Sequence, residues 1–312
     1  MSAGEHHSGF LCSDGTTVEA VLIGGNDWGQ CNIPLVEDGV SYTQIACGRS
    51  HTVFLRSDGR VVAAGDNRCG QCVLPNGRGW LQVSAGVKHT VLLHTDGHVY
   101  PWGNNDYGQC DVQALELPGV AFSQVSAGSK HTVLLRSDGS AAACGDNNRG
   151  QCYIPPIFEE GVRYTQVSAG DEHTVLLRSD GVAGACGKNH ANQCVIPVLE
   201  GGVHYTQISA GVSHTVLLRD DGRAVQCGYI YDGRTVTLKV PGLLWGMKYT
   251  QVSAGRGYSL LLRSDGSVLM TGPYPGLQEQ HRLLMSFFWA NNARLRRWRF
   301  VPNRWPLALS TE

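Results

Sequence analysis

A unit of about 40 residues recurs seven times along this chain of 312 residues. Every copy has a Gly that ends a run of small residues, an aromatic ring three residues later, and an Asp-Gly pair ten residues after the Gly. The spacing between successive Gly residues stays between 38 and 44 residues. These Gly anchors are Gly4, Gly48, Gly86, Gly128, Gly170, Gly211 and Gly255. A fixed period of this length indicates a repeat architecture in which each unit packs on its neighbours.

Within one unit the residue pattern predicts β-strands and no helix. Residues 131–137 are rich in β-branched and aliphatic residues, and Asp138-Gly139 supplies a hairpin turn because glycine adopts positive φ without steric cost. Residues 141–145 form the partner strand, whose small side chains favour a place near a ring axis. Residues 151–155 predict a further short strand that ends at a proline. With about four antiparallel strands per unit, the sequence predicts an all-β, seven-bladed β-propeller.

The repeats predict one propeller domain over residues 1–276, followed by a tail over residues 277–312. The first unit lacks the strand that precedes the other anchors, so we expect imperfect closure of the ring or a strand supplied by the tail. Residues 229–238 replace the usual connector of the sixth unit. The tail holds six Arg and two Glu, a formal charge of +4, among many apolar residues. Two interpretations stay open: a helix or strap across the ring, or a segment that contacts a partner, an anionic membrane or nucleic acid.

Composition narrows the class of protein. The net charge of −1 gives the ring no electrostatic attraction for nucleic acid. No run has the length of a membrane helix, and the N-terminus is already repeat sequence without a secretory signal, so we expect an intracellular protein, cytoplasmic or nuclear. Eleven cysteines, an odd number, predict reduced thiols that serve as small buried residues, with disulfides between blades as the alternative.

Residues that recur in every unit are predicted to be structural. The ring positions predict neutral imidazoles that cap backbone groups at a turn, since a residue present in all blades is a poor candidate for one metal site. No nucleotide-binding loop or distinct catalytic set is present, so we predict no enzyme, no cofactor and no metal. The predicted structural residues are His51, His89, His131, His173 and His214, with Asp58, Asp96, Asp138, Asp180, Asp221 and Asp265.

Binding residues are expected where the units differ, in loops on a rigid scaffold. Two variable residues separate each anchor from its ring position, and in a propeller such equivalent loops meet on one rim. Five of them are candidates for that rim: Arg49, Lys88, Lys130, Asp171 and Glu172. A second set precedes the repeated Gly-Gln pair or its counterpart and includes Trp28, Tyr107 and Arg149. Because Trp, Tyr and Arg dominate binding hot spots, these three predict a contact patch, with packing between blades as the alternative.

The repeat SAGxxHTVLLRSDG, followed by CGxNxxGQC, resembles the repeat of the regulator of chromosome condensation family over residues 2–272. The resemblance implies a seven-bladed propeller that binds other proteins. The family's founding member is an exchange factor for the small GTPase Ran that uses an inserted wedge, for which repeats of 38–44 residues leave no room. The short repeats and the loop Asn26-Asp27-Trp28-Gly29 are also similar to bacterial propellers that inhibit β-lactamases.

We therefore expect a monomeric, non-enzymatic propeller scaffold that binds a protein partner through its variable rim loops. The resemblance leaves two alternatives open. One is a guanine-nucleotide exchange regulator of a small GTPase, and the other is a substrate-recognition or targeting module linked to ubiquitin ligation.

Overall fold

The computed structural model describes residues 1–13, 18–231, 235–236, 240–243, 246–272 and 299–300, of which 230–231, 235–236 and 299–300 are described by their backbone alone. This part of the chain is all-β except for one turn of 3-10 helix, Val112–Leu115. Its strands form seven antiparallel sheets, one for each repeat, arranged as the blades of a propeller, together with one separate two-stranded hairpin. The predicted fold class is confirmed.

Strands follow the order of the chain within each blade. Blades one to three contain β1 (Ser2–Ala3), β2 (His7–Ser13) and β3 (Val18–Gly24); β4 (Tyr42–Cys47), β5 (His51–Arg56) and β6 (Val61–Gly65); β7 (Trp80–Ala85), β8 (His89–His94) and β9 (Val99–Gly103). Blades four and five contain β10 (Phe122–Ala127), β11 (His131–Arg136) and β12 (Ala141–Gly145); β13 (Tyr164–Ala169), β14 (His173–Arg178) and β15 (Ala183–Gly187). Blades six and seven contain β16 (Tyr205–Ala210), β17 (His214–Arg219) and β18 (Ala224–Gly228); β21 (Tyr249–Ala254), β22 (Ser259–Arg263) and β23 (Val268–Thr271). A short hairpin of β19 (Ile230–Tyr231) and β20 (Thr235–Val236) follows blade six, at the irregular connector, and β24 (Arg299–Phe300) joins blade one.

Six of the blades have three strands each, and the fourth strand expected from the sequence is missing from the described residues. The connectors after the third strands of blades one to five run instead as a series of turns held by side chains. In blade four, Asn147 Oδ1 accepts the Cys152 N–H at 2.9 Å, and Gln151 Oε1 accepts the Arg149 N–H at 2.9 Å. The prediction of a strand at 151–155 was wrong because these side chains bind backbone groups that a strand ladder would use.

The third strands also lie elsewhere than expected. β12 pairs only with β11 and forms the outer edge of its blade, so its small side chains do not mark the axis. The axis is lined by the ends of the first strands and by the Gly anchors, for example Ala127 and Gly128. Apolar cores fill the spaces between blades: Val133 and Leu135 of blade four pack with Val167 and Leu176 of blade five.

A closed ring of backbone hydrogen bonds surrounds the axis. The N–H after each anchor donates to the carbonyl of the next anchor at 3.1–3.3 Å, and Arg256 N closes the circle on Gly4 O. A Cβ atom on Gly128 would lie 2.5 Å from Gly170 O and 2.5 Å from His131 Cε1. Close approach between neighbouring blades therefore requires glycine at these seven positions.

A second closed ring uses the aromatic positions. Each buried His Nε2 lies 2.6–3.1 Å from a hydroxyl of the next blade, as His131 does from Thr174. The Thr174 hydroxyl gives its own proton to Gln151 O at 2.7 Å, so the imidazole must donate through Nε2–H. The imidazole thus binds a side chain of the next blade rather than the backbone groups expected from the sequence.

The seam between blades seven and one continues both rings. Tyr258 replaces the imidazole, and its hydroxyl lies 2.8 Å from Ser8 Oγ. The first strand of blade one is assembled from both ends of the chain: β1 pairs with Ser8 and Gly9, and β24 pairs with Cys12 and Ser13. The tail thus supplies a strand, one of the two predicted alternatives, while the domain boundary at residue 276 and the predicted helical face lie outside the described residues.

Replacing an anchor glycine is expected to open the ring. Gly128→Ala would force Cβ against backbone and imidazole atoms, and we expect a loss of about 3 kcal/mol in the free energy of unfolding. Gly184→Ala is the matched control, because a Cβ there meets no atom within 4 Å. Urea unfolding followed by intrinsic fluorescence measures both, and equal stability of the two variants would contradict this account of the anchor.

Acid is expected to destabilise the ring through its buried histidines. Burial lowers the pKa of His131 to about 4 and of His173 to about 3, whereas an unfolded His titrates near ~6.5. As the pH falls below about 6.5, the unfolded chain binds protons that the folded chain does not, so stability decreases until the pH reaches the folded pKa. Six such residues give a combined slope of up to about 8 kcal/mol per pH unit.

Urea unfolding between pH 7.5 and 5 tests this slope. His131→Gln keeps a donor toward Thr174 and removes one titrating group, so the slope near pH 5 should fall by about 1.4 kcal/mol per unit. Leu134→Ala is the control: it removes a buried apolar side chain and no titrating group, so it should lower stability without changing the slope. If the His131→Gln slope matched that of the unmodified chain, the buried imidazole would not be the titrating group.

Candidate functional site

The variable residues predicted to form a rim lie on one face of the propeller. Antiparallel pairing sets the end of each third strand beside the start of the middle strand, as Gly145 pairs with His131. The anchor loop and the connector therefore meet, and Asp146 N donates to Lys130 O at 2.8 Å. We call the surface built from the anchor loops and the connector turns the anchor face. The Asp-Gly turns form the opposite surface, the Asp-Gly face.

The Asp-Gly aspartates that the structure describes act within their own turns. Each carboxylate accepts the backbone N–H two residues later at 2.8–3.2 Å, as Asp138 does from Ser140. Asp58 and Asp180 also bind the Arg two residues earlier. The carboxylates at 58, 96, 138, 180, 221 and 265 therefore fix turn geometry on the face away from the variable residues.

The first variable position of each loop lies at the mouth of the axis. Glu5 is flanked by two guanidinium groups, with Arg49 Nε at 3.5 Å and Arg256 Nη1 at 3.3 Å from its carboxylate. Burial raises the pKa of the Glu5 and Asp171 carboxyl groups. The seven residues at this position are Glu5, Arg49, Val87, Ser129, Asp171, Val212 and Arg256. With two cations and two carboxylates, the mouth is formally neutral.

Side chains at the second variable position contact connectors, either of the preceding blade, as Lys130 does, or of their own blade, as Glu172 does. Lys130 Nζ lies 2.9 Å from the Tyr107 hydroxyl and 4.3 Å from the centre of its ring. That hydrogen bond raises the pKa of Lys130. Glu172 pairs with Lys188, while Lys88 is exposed. The structure thus joins Tyr107 and Lys130, which the sequence placed in two separate sets.

Trp28 is held in a similar way by a residue that the sequence reasoning missed. The Arg68 guanidinium lies 4.0 Å from the centre of the Trp28 ring and forms two hydrogen bonds of 2.9 Å with the buried Asp66. An Arg two residues after the connector Asp is a signal that could have identified it. Trp28 remains 47% exposed and Tyr107 44% exposed, so both rings are fixed and still accessible.

The remaining predicted rim residues share this face without touching the two aromatic rings in an identified contact. Arg149 is exposed at the tip of the fourth connector. Arg49 belongs to the mouth of the axis, and Asp171 and Glu172 lie in the loop of blade five. On blades one to four, the anchor face therefore carries two exposed aromatic rings, Trp28 and Tyr107, and several cations. Two carboxylates follow on blade five.

Five connector cysteines that follow the repeated Gln have thiols of low reactivity. Burial raises the pKa of Cys31, Cys72 and Cys110 to about 11, and of Cys152 and Cys194 to about 12. Each of these thiols donates to a backbone carbonyl six residues earlier at 3.3–3.4 Å. All eleven cysteines are unpaired, so the connectors carry thiols and no disulfide.

The described ranges show no group of three His, Cys, Asp or Glu side chains placed to hold a metal ion. Within the same ranges, no helix has the length and apolar character needed to cross a membrane.

Comparisons with known proteins agree with this architecture. Residues 42–71, 80–109 and 122–151 each match the Regulator of chromosome condensation (RCC1) repeat. Over 83 residues the chain is 37% identical to an X-linked retinitis pigmentosa GTPase regulator homolog from Caenorhabditis elegans, a match that spans 23% of this chain and only 6% of that relative's length.

Solved propellers resemble the whole ring. Yeast RCC1 (Prp20), in its complex with Kap60, has a TM-score of 0.61 at 18% identity, over 77% of this chain and 71% of that one. Human WBSCR16 has a TM-score of 0.63 at 17% identity, over 88% and 86% of the two chains. At these identities the likeness shows a shared fold, while the matched repeats show a shared sequence pattern. The chain therefore contains regulator of chromosome condensation repeats at residues 42–71, 80–109 and 122–151, within a ring that has the fold of these solved propellers.

Proposed function

We propose that this propeller is a non-catalytic scaffold that binds a protein partner on its anchor face. One observation carries the proposal: the positions at which the repeats differ, taken from two separate parts of the unit, converge on that face. Residues that are the same in each repeat hold the ring together or shape turns. In repeat proteins, a binding site is usually formed by loop residues that differ between repeats, and the residues that all repeats share form the scaffold beneath them.

The aromatic residues of the anchor face support this proposal. Trp28 and Tyr107 are nearly half exposed, yet each ring is fixed by a cation from the next blade. Their loops are also fixed, because the Trp28 N–H donates to Gln30 Oε1 at 2.9 Å and the Tyr107 N–H donates to Gln109 Oε1 at 3.0 Å. Side chains ordered before binding lose less entropy when a partner docks, which favours affinity.

We also propose an intracellular location, cytoplasmic or nuclear, and a monomeric ring. The tail over residues 277–312 is proposed as a segment separate from the propeller. The expected contact of that tail with an anionic membrane or nucleic acid concerns residues outside those described, apart from the backbone of Arg299–Phe300 in blade one.

Removing both aromatic anchors is expected to release the partner. Trp28→Ala/Tyr107→Ala should reduce recovery of the bound protein by at least about tenfold, since hot-spot aromatics each contribute roughly 2 kcal/mol or more. The matched control is Leu35→Ala/Phe158→Ala, which removes two exposed apolar side chains near the Asp-Gly face. Quantitative mass spectrometry after crosslinking and affinity purification from the native cell measures the recovery. Equal recovery by both double variants would contradict the proposed face.

A second candidate function is regulation of nucleotide exchange on a small GTPase. The relative from Caenorhabditis elegans is named as a GTPase regulator homolog. Prp20p from Saccharomyces cerevisiae, whose structure was described together with its binding to Gsp1p and histones, has a TM-score of 0.59 at 19% identity over 74% of this chain and 72% of its own. These functions belong to the relatives, and they make a small GTPase the first partner to test.

Exchange activity is measured by the release of fluorescent GDP from a panel of purified small GTPases. If the chain is an exchange regulator, release from one of them should accelerate by at least about tenfold, which corresponds to a barrier lowered by about 1.4 kcal/mol. EDTA supplies the positive control for release. The Trp28→Ala/Tyr107→Ala variant should lose the acceleration. No acceleration across the panel would exclude the tested GTPases as substrates and leave the scaffold as the better description.

A further inference from the structure

Three exposed cations lie on Tyr107 or in the loops and connectors next to it on the anchor face. Lys130 touches the Tyr107 ring, Lys88 lies in the loop of blade three, and Arg149 lies in the connector of blade four. Within the described residues, no carboxylate oxygen lies within 4.0 Å of the charged nitrogens of these three side chains. We call Lys88, Tyr107, Lys130 and Arg149 the Tyr107 sector.

The other Lys and Arg side chains that the structure describes on the anchor face have ion-pair partners. Arg49 and Arg256 bind Glu5, and Arg68 binds Asp66. Lys188 binds Glu172. Among the side chains described on this face, the Lys and Arg residues without an ion-pair partner therefore all belong to the Tyr107 sector, with paired charges on either side.

Carboxylates near the sector are already engaged inside their own connectors. Asp106 accepts Asn104 Nδ2 at 2.7 Å, and Asp111 accepts Asn105 Nδ2 at 2.8 Å. Asp146 is buried and accepts Asn148 Nδ2 at 2.6 Å. Three carboxylates balance three cations formally, so long-range attraction is small. At contact distance, however, the groups that remain available are hydrogen-bond donors with positive charge.

The Tyr107 hydroxyl adds a fourth donor. Lysine has only donors, so in the 2.9 Å contact the Lys130 ammonium donates and the Tyr107 oxygen accepts. The hydroxyl proton of Tyr107 is then directed elsewhere, on a side chain that is 44% exposed. An anion placed beside Tyr107 would meet this O–H together with the cations around it.

We propose that the Tyr107 sector binds an anionic segment of the protein partner, through carboxylate or phosphate groups. This inference rests on the proposed function and specifies the chemistry of the partner. Charge-assisted hydrogen bonds from Arg and Lys to such groups are among the stronger polar contacts in proteins. Nucleic acid fits less well, because its affinity depends on how many phosphates a surface neutralises, and the formal charge around this sector is balanced.

Fluorescence anisotropy with labelled peptides tests the proposal on the full chain. The probes are four peptides of equal length, in which glycine alternates with glutamate, phosphoserine, lysine or serine, and one single-stranded DNA of similar length. The glutamate peptide, the phosphoserine peptide or both should bind, and the lysine and serine peptides should not. The stronger of the two anionic peptides identifies carboxylate or phosphate as the preferred group.

Two charge-matched variants locate the binding site. Lys88→Gln/Lys130→Gln/Arg149→Gln should weaken anionic-peptide binding by at least about tenfold. Arg60→Gln/Arg163→Gln/Arg223→Gln removes the same charge from exposed positions at the Asp-Gly face and should change binding less than twofold. Thermal unfolding of each variant is the control that checks whether it is folded.

Three results would overturn the inference: no binding of either anionic peptide, equal weakening by both triple variants, or tighter binding of DNA than of both peptides. The experiments distinguish failure of this inference from failure of the proposed function. Loss of native partners in the Trp28→Ala/Tyr107→Ala variant, without any peptide binding, would retain the scaffold and reject the anionic segment. Peptide binding with unchanged native partners would retain the site and reject the anchor face as the main docking surface.

Discussion

The hydrogen bond from a buried, neutral imidazole to a hydroxyl of the next blade is the contact on which this ring depends. In blade four it runs from His131 to Thr174, whose own proton goes to the carbonyl of Gln151 in the preceding connector. One contact thus joins two blades and a connector. Both the neutral ring and the imidazolium can donate through Nε2–H, and burial keeps the ring neutral by lowering the pKa of His131 to about 4. The anchor positions require glycine because neighbouring blades approach so closely there: a Cβ at Gly128 would contact both the imidazole and the carbonyl of the next anchor.

The separation between repeated and variable residues is the basis for the binding face that we propose. The side chains that every repeat shares are consumed by contacts between blades or within turns, so they are unavailable to a partner. Loop tips are free to differ, and the ring brings them to one face. On that face, residues that differ between repeats contact each other: Lys130 contacts the Tyr107 ring, and Arg68 contacts the Trp28 ring. A rigid frame with ordered aromatic rings suits the binding role proposed above. Burial raises the pKa of the Cys72 and Cys152 thiols, which makes them poor nucleophiles.

Several expectations failed or changed for identifiable reasons. Residues 151–155 have strand-like composition, but Asn147 and Gln151 bind the backbone groups that a strand would need. The small residues of β12 resembled an axis strand, yet the axis is lined by the first strands, because the anchors must approach one another there. At the seam, the first unit lacks part of the repeat pattern, which predicted a missing strand. In the structure both chain ends supply strand residues there, and Arg299–Phe300 lies beside Cys12 and Ser13.

The sequence by itself determined the number of blades, the turn residues, the structural role of the recurring side chains and the positions where units differ. These features depend on the spacing of residues along the chain, and that spacing can be read directly from the sequence. Only the tertiary structure decided which variable residues become neighbours, since Tyr107 and Lys130 stand 23 residues apart and belong to different blades. It also decided which charges are paired, leaving Lys88, Lys130 and Arg149 without carboxylate partners among the described residues while Arg68 is bound to Asp66. Charge pairing depends on distances between loops, and those distances are set by the closure of the whole ring.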